Sequence, residues 1–240
     1  MEYRLDDCSY YKKVMIGSKP IYIFDAHNMA LPVWGTYASI TGPANLVTFD
    51  THTDTHCAFT NLMSESGSHS DYDYKKIILN PIVKARLSGM KYQIDSFSFE
   101  DVFKYAQGIL NTEQILTGVA FGYLSSYTVR SHKEGYEQTD RMYGYNATYI
   151  GDEDTRKPEI KEPLFLDVDL DYFGTKDSIG NNFLQYVTPY FKAAAVITIA
   201  REPKYFEASK QERTFSVDDA ERRILEVFRN IEEESNGVEL

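Results

Sequence analysis

The stretch Leu46-Val-Thr-Phe-Asp50-Thr-His52-Thr-Asp54 ("LVTFDTHTD") indicates both a fold class and a functional site. Its first four residues are apolar or β-branched, which predicts a buried strand. Asp, His and Asp then follow at every second position, and their carboxylate and imidazole groups are metal-ligating side chains. The stretch therefore predicts a strand that carries metal ligands at its carboxyl end.

Similar short apolar runs recur along the chain and predict an α/β fold. The clearest of them cover residues 20–25, 45–50, 163–167 and 195–200. Because these runs are apolar almost throughout, both faces of each strand are expected to be buried, as in a parallel sheet covered by helices on both sides. We expect one domain over residues 1–240, a three-layer αβα arrangement with a mostly parallel sheet.

Helices and loops are predicted between these strands. Ser98-Phe-Glu-Asp101 and Thr112-Glu-Gln-Ile115 each predict a helix start. Ser216-Val-Asp-Asp219 predicts the cap of a final amphipathic helix that ends near Glu233. Residues 125–162 are polar, tyrosine-rich and poorly periodic, so they predict a long excursion near the active face, either a lid or a substrate groove. The final helix should bury one apolar stripe, formed by Val217, Ala220, Ile224, Val227, Phe228 and Ile231.

Composition restricts the classes of partner. The chain has 240 residues and a net charge of −11, and no apolar run reaches the roughly 18 residues of a membrane helix. An acidic chain is a poor match for a nucleic-acid backbone and a better one for a cationic partner. The first residues lack the basic start and apolar core of a secretory signal, so we expect a cytoplasmic protein that binds no nucleic acid and no membrane. The oligomeric state is left open.

Three of the predicted strands end on aspartate, and they do so in motifs rich in metal ligands. The motifs are Asp25-Ala-His27, Asp50-Thr-His52-Thr-Asp54 and Asp167-Val-Asp169-Leu-Asp171. In an open parallel sheet, functional side chains gather at the carboxyl edge, so the three motifs should meet there. Clustered unpaired carboxylates repel one another and are poorly solvated when buried, so the arrangement indicates bound cations.

Each motif also has a simpler explanation. Asp25 could only cap the following helix, and a lone His27 could be a hydrogen-bonded structural histidine. The third motif imitates a calcium loop, but its sixth position is Tyr172 and its twelfth is Ser178, which removes that reading.

Nitrogen and oxygen ligands without a thiolate favour manganese, iron or zinc over magnesium or calcium. Six such ligands suffice for two metal ions.

The same motifs resemble a known signature. His27, the motif from Asp50 to Asp54 and the pair Asp167-Val-Asp169 resemble the binuclear manganese signature of the arginase (ureohydrolase) superfamily. The strings "FDAHN", "TFDTHTD", "LDVDLDYF" and "VITIAREP" are similar to those of its compact relatives, among them the peptide arginases. The resemblance implies a hydrolase with two manganese ions. Such an enzyme converts arginine side chains in a ribosomally made precursor peptide to ornithine and releases urea.

The resemblance also implies a role for individual residues. One ion would take His27 and Asp54, the other His52 and Asp169, and Asp50 and Asp167 would bridge them. Among the remaining residues, His69 would shuttle protons, with His56 as the alternative for that role. Glu202 would hold the guanidinium, and substrate contacts would come from Ser66, His56 and Glu202. The chain departs from the arginase pattern at Asp171, which follows Asp169 by only two residues, and at Tyr172-Phe173, which replaces a proline.

Three other functions remain open from the sequence. The substrate could be free arginine, agmatine or another small guanidine, because the metal motifs indicate hydrolysis of a carbon–nitrogen bond and say little about the rest of the substrate. A mononuclear zinc deacetylase would share the fold, but it typically lacks the counterparts of His27 and Asp54. A protein that only binds cationic peptides would have purely structural aspartates.

Overall fold

The computed structural model describes residues 10–52, 54, 113–131, 146–151 and 160–237. Within them, the strands are β1 (Tyr11–Ile16), β2 (Lys19–Phe24), β3 (Ala44–Phe49), β4 (Leu124–Ser131), β5 (Asn146–Gly151), β6 (Leu164–Asp169) and β7 (Ala194–Ala200). The helices are α1 (Ala30–Thr41), α2 (Gln114–Ala120), α3 (Asn181–Ala193), α4 (Pro203–Ser209) and α5 (Val217–Asn236). Two short 3₁₀ turns, His27–Met29 and Leu170–Tyr172, follow β2 and β6.

The strands form one sheet in the order β1-β2-β7-β6-β3-β4-β5. β1 pairs antiparallel with β2, and every other pairing in this sheet is parallel. The predicted α/β fold with a mostly parallel sheet is confirmed. All four runs predicted from the sequence are strands of this sheet, and their observed bounds differ from the predicted ones by at most two residues.

Helices cover both faces of the sheet and bury two separate cores. On one face, Trp34 of α1, Ile115 of α2 and Tyr127 of β4 belong to the same cluster of buried apolar residues. On the other face, Phe191 of α3 stacks on Phe228 of α5, with ring centroids 4.9 Å apart. Burial of large apolar side chains on both faces explains why the central strands lack the alternation of apolar and polar residues seen in half-exposed strands.

The segment 125–162 differs from its prediction. It was expected to be a long excursion, but β4 and β5 run through it as parallel strands of the sheet. In β4 the buried Leu124, Tyr127 and Val129 are interrupted by Ser and Thr, so the strand lacks the continuous apolar run of its neighbours. Residues 132–145 and 152–159, and the helix predicted to start at Ser98, lie outside the described residues.

The final helix is confirmed. The Ser216 hydroxyl accepts a hydrogen bond of 3.1 Å from the Asp219 backbone N–H, so Ser216 caps α5 as predicted. The predicted apolar stripe packs into the core, with Ile224, Phe228 and Ile231 almost fully buried. No helix in the described part of the chain is long and apolar enough to cross a membrane.

Candidate metal centre

The site lies where four adjacent strands end at the carboxyl edge of the sheet. Ala200 at the end of β7 is level with the ends of both neighbouring strands, Phe24 of β2 and Asp169 of β6. β3 ends beside them, with Phe49 level with Val168. The residues that end or follow these strands are therefore brought together, as expected for a parallel sheet.

A first group of possible metal ligands surrounds His27. One ligand atom from each of its members lies within 4.8 Å of the others, and the members are His27, Asp50, Asp54 and Asp169. The Nδ1 atom of His27 is 2.9 Å from Asp54 Oδ2, 3.2 Å from Asp169 Oδ2 and 3.8 Å from Asp50 Oδ2. All four residues are buried. A ring nitrogen that faces three carboxylates fits a shared cation between them.

A second group lies directly beside the first and consists of Asp50, His52 and Asp171. The Nδ1 atom of His52 is 3.0 Å from Asp171 Oδ2 and 3.8 Å from Asp50 Oδ1. Asp50 thus belongs to both groups, and its two oxygens face different imidazoles. The His52 side chain is 41% exposed, whereas His27 is fully buried, so the second group is the one nearer to solvent.

Glu202 forms a third group of possible metal ligands with Asp169 and Asp171. One carboxylate oxygen of each of the three residues lies within 4.8 Å of the others, and Glu202 is only 4% exposed. Glu202 and Asp54 both have left-handed backbones, with φ of 40° and 45°, and no other non-glycine residue in the described ranges has positive φ. Such conformations are uncommon outside glycine and concentrate at functional sites.

Several polar atoms of the site are buried without a hydrogen bond to any part of the described chain. They are His27 Nδ1, Asp50 Oδ2, Asp169 Oδ2 and both carboxylate oxygens of Asp171. Buried polar atoms almost always have a partner, so a cluster of such exceptions is compatible with a bound ion. The donor chemistry and this cluster of atoms therefore fit divalent cations.

In the protein without metal, the electrostatics of the site favour protons. Burial, and then the charge of Asp54, raises the pKa of Asp50 well above its usual range. Burial, and then the charge of Asp171, raises the pKa of Asp169 to about 7. Burial opposes charge on His27, but the carboxylates of Asp167, Asp169 and Asp54 together outweigh it, so the pKa of His27 is well above its usual range. The carboxylate of Asp171, 3.0 Å from the His52 ring, is the main cause that raises the pKa of His52. A divalent cation would supply the positive charge that protons supply here.

The structure places Asp167 away from the position expected for a bridging ligand. Its carboxylate accepts hydrogen bonds from Thr48, Thr198 and His27 Nε2, and it belongs to none of the three ligand groups found in the described chain. The register explains this difference, because Asp167 is level with Thr48 inside the sheet, whereas Asp169 is the last residue of β6 and Asp50 follows the last residue of β3. Asp171, which the sequence pattern left without a role, lies in the second group instead.

Asp25 is also used differently from the expectation. The 3₁₀ turn that follows β2 has Ala26 at its N-cap position, and no side chain caps it. Asp25 instead lies 3.4 Å from the guanidinium of Arg201. Arg201 also pairs with Asp218 and Glu221 of α5. Asp25 therefore belongs to an ion-pair network beside the metal centre.

Two residues near the centre carry no signal in the sequence. Gln114, fully buried at the start of α2, donates a 2.6 Å hydrogen bond from Nε2 to Asp54 Oδ2. Tyr205 of α4 packs edge-on against the His52 ring, with centroids 6.1 Å apart. Both depend on contacts between distant parts of the chain. The predicted residues His56, Ser66 and His69 lie outside the described residues.

The described residues define an α/β protein with a buried histidine–carboxylate centre that could hold metal ions. No family model and no curated protein matches the sequence. Among solved structures, the chain is similar to proclavaminate amidino hydrolase from Streptomyces clavuligerus, with a TM-score of 0.47 and 11% sequence identity. The match covers 88% of this chain and 63% of that chain, so this chain spans less than two thirds of the neighbour's length.

Proposed function

We propose that this chain is a manganese-dependent hydrolase of guanidinium groups, which converts arginine side chains in a ribosomally made precursor peptide to ornithine and releases urea. The observation that carries the proposal is the position of Asp50. Its Oδ2 faces His27 in one ligand group and its Oδ1 faces His52 in the next. A carboxylate shared in this way suits a bridge between two cations.

Two ions can be assigned to the ligand groups. The first would be held by His27, Asp50, Asp54 and Asp169, and the second by Asp50, His52 and Asp171. Asp171 thereby takes the place that the sequence pattern had given to Asp167. The donor atoms are carboxylate oxygen and imidazole nitrogen, without a thiolate, which favours manganese, iron or zinc. Manganese is proposed among these because the motifs resemble those of arginases.

The chemistry divides between the ions and the side chains. When bound, paired divalent ions lower the pKa of water and so supply a nucleophile near neutral pH. The Glu202 carboxylate lies beside Asp169 and Asp171 and would accept charge-assisted hydrogen bonds from the guanidinium of the substrate. His52 lies on the exposed side, so substrate would approach past it and Tyr205. His69 is proposed to protonate the departing amine.

Charge supports a cationic substrate. Five carboxylates, those of Asp50, Asp54, Asp169, Asp171 and Glu202, surround the centre, and the whole chain carries a net charge of −11. Such a field attracts and orients a guanidinium group. The choice of a peptide over a free guanidine comes from the resemblance to compact peptide arginases.

The grouping of ligands favours two ions over the single zinc of a deacetylase. His27 and Asp54, whose counterparts a one-metal deacetylase lacks, both lie in the first group and face each other at 2.9 Å. Counting of metal in the purified protein by elemental analysis discriminates the two: two ions per chain are expected, and one zinc ion per chain would favour the deacetylase.

The test of function is incubation of the manganese-loaded protein with an arginine-containing peptide and, separately, with free arginine. We expect urea release and a peptide mass lower by the difference between arginine and ornithine. A peptide with lysine in place of arginine is the matched substrate control, and His52→Ala is the matched protein control. Reaction of free arginine alone would reject the peptide substrate, and no reaction of either with manganese bound would reject the guanidinium hydrolase.

A further inference from the structure

A chain of buried hydrogen bonds runs behind the first ligand group. The indole Nε1 of Trp34 donates to Thr198 Oγ1 at 3.3 Å, and Thr198 donates to Asp167 Oδ1. Thr48 donates to Asp167 Oδ2 at 2.8 Å, and His27 Nε2 lies 2.7 Å from the same oxygen. All five residues in this chain of hydrogen bonds are 0% exposed to solvent.

The direction of each bond in this chain follows from the chemistry of the groups. An indole N–H can only donate, so Thr198 must accept from Trp34 and has its own hydroxyl proton available for Asp167. Thr48 supplies a second hydroxyl proton to the other oxygen of Asp167. Each oxygen of Asp167 thus accepts from a hydroxyl, and we assign the ring N–H of His27 as the donor in its 2.7 Å contact with Asp167 Oδ2. His27 therefore has its proton on Nε2.

Because Nε2 is engaged with Asp167, Nδ1 is the ring nitrogen left to face a metal ion. Nδ1 of His27 points at Asp50, Asp54 and Asp169, which form the first ligand group with it. A neutral imidazole binds a metal through the nitrogen that lacks the proton, and a carboxylate on the opposite nitrogen fixes the tautomer and raises the basicity of the ligand.

We infer that Asp167 is a positioning residue, which holds His27 in the Nε2–H tautomer and so directs the Nδ1 lone pair at the first metal position. The inference rests on the proposed metal centre. Its support from the fold is the register of the sheet, in which Thr48 of β3 and Thr198 of β7 are the direct neighbours of Asp167 on β6. Three adjacent strands thus fix this carboxylate, and the carboxylate fixes the ring.

Two substitutions of Asp167 distinguish the effect of its negative charge from its effect as a hydrogen-bond acceptor. Asp167→Asn keeps an oxygen that can accept from His27 but removes the negative charge, whereas Asp167→Leu removes the acceptor as well. Thr48→Val is the matched control, because it leaves the Asp167–His27 contact intact and removes one neighbouring hydrogen bond from the same buried cluster. Each variant is measured for Mn²⁺ affinity by calorimetric titration. The tautomer of His27 is read from the ¹⁵N shifts of the ring nitrogens in zinc-loaded protein, since zinc is diamagnetic.

We expect Mn²⁺ affinity at the first position to fall roughly 10- to 100-fold in Asp167→Asn, as is typical when the carboxylate behind a histidine ligand is replaced. In Thr48→Val, the Mn²⁺ affinity should fall by a smaller factor than in Asp167→Asn. The Nε2–H tautomer should persist in the wild type and in Asp167→Asn and should be lost or mixed in Asp167→Leu, where that variant folds. If Asp167→Asn is folded and binds Mn²⁺ with wild-type affinity, or if wild-type His27 carries its proton on Nδ1, the inference is overturned while the proposed function stands. If the wild type itself binds no Mn²⁺, both are overturned.

Discussion

Replacement of Asp169 by asparagine should make the metal-free protein more stable while it removes metal binding. Burial and the neighbouring Asp171 raise the pKa of Asp169 from 3.8 to about 7 in the folded protein. A raised pKa means that the folded state binds more protons than the unfolded state, so stability is present below about pH 4 and is lost as the pH rises through about 7. Since one pKa unit corresponds to about 1.4 kcal/mol, ionised Asp169 destabilises the metal-free fold by roughly 4 kcal/mol above pH 7.

Asparagine has nearly the same shape and no charge, so Asp169→Asn should regain up to about 4 kcal/mol at pH 8, which is of the order of 10 °C in melting temperature for a chain of this size. The gain should shrink towards pH 5. Thermal unfolding in chelator across this pH range measures it, with the exposed Glu233→Gln of α5 as a control for loss of a carboxylate elsewhere. Excess Mn²⁺ should stabilise the wild type and not the variant. A variant that melts below the wild type in chelator at pH 8 would refute the reasoning.

Three further substitutions test other parts of the site and fold. Gln114→Leu removes the hydrogen bond to Asp54. Because a hydrogen bond to a charged group contributes about 1.5–3 kcal/mol, the Mn²⁺ affinity measured by titration should fall about tenfold or more. An unchanged affinity would contradict this expectation. Glu202→Gln should raise KM for the guanidinium substrate with metal content unchanged, and loss of metal would instead make Glu202 a ligand. Ser216→Ala removes the cap of α5 and should lower the free energy of unfolding by about 1 kcal/mol in denaturant titration, without change in metal affinity.

The core strands could be predicted because they are buried on both faces. Their apolar runs are nearly continuous, and the aspartates that follow β2 and β3 mark where burial among apolar neighbours ends. β4 lacked such a signal, since Ser126 and Thr128 interrupt it. Its place in the sheet is fixed by pairing with β3 and β5 on either side, which no local pattern reports.

The candidate site was predictable in its residue types but not in its register. His27, Asp50, His52, Asp54 and Asp169 were named from the sequence, and all five lie in the ligand groups. The string of alternating aspartates on β6 permits two registers that differ by two residues. Which register applies depends on how far β6 extends beyond its neighbours, and that is decided by sheet pairing.

The network around Arg201 links the centre to the last helix. Arg201 and Glu202 are adjacent, yet Arg201 pairs with Asp218 and Glu221 of α5 while Glu202 groups with the aspartates of the centre. α5 consequently acts as a buttress for the short segment between β7 and α4. Displacing the N-terminal end of this helix, which carries Asp218 and Glu221, should be detected first as weakened substrate binding through Glu202, at temperatures where the sheet itself is still intact.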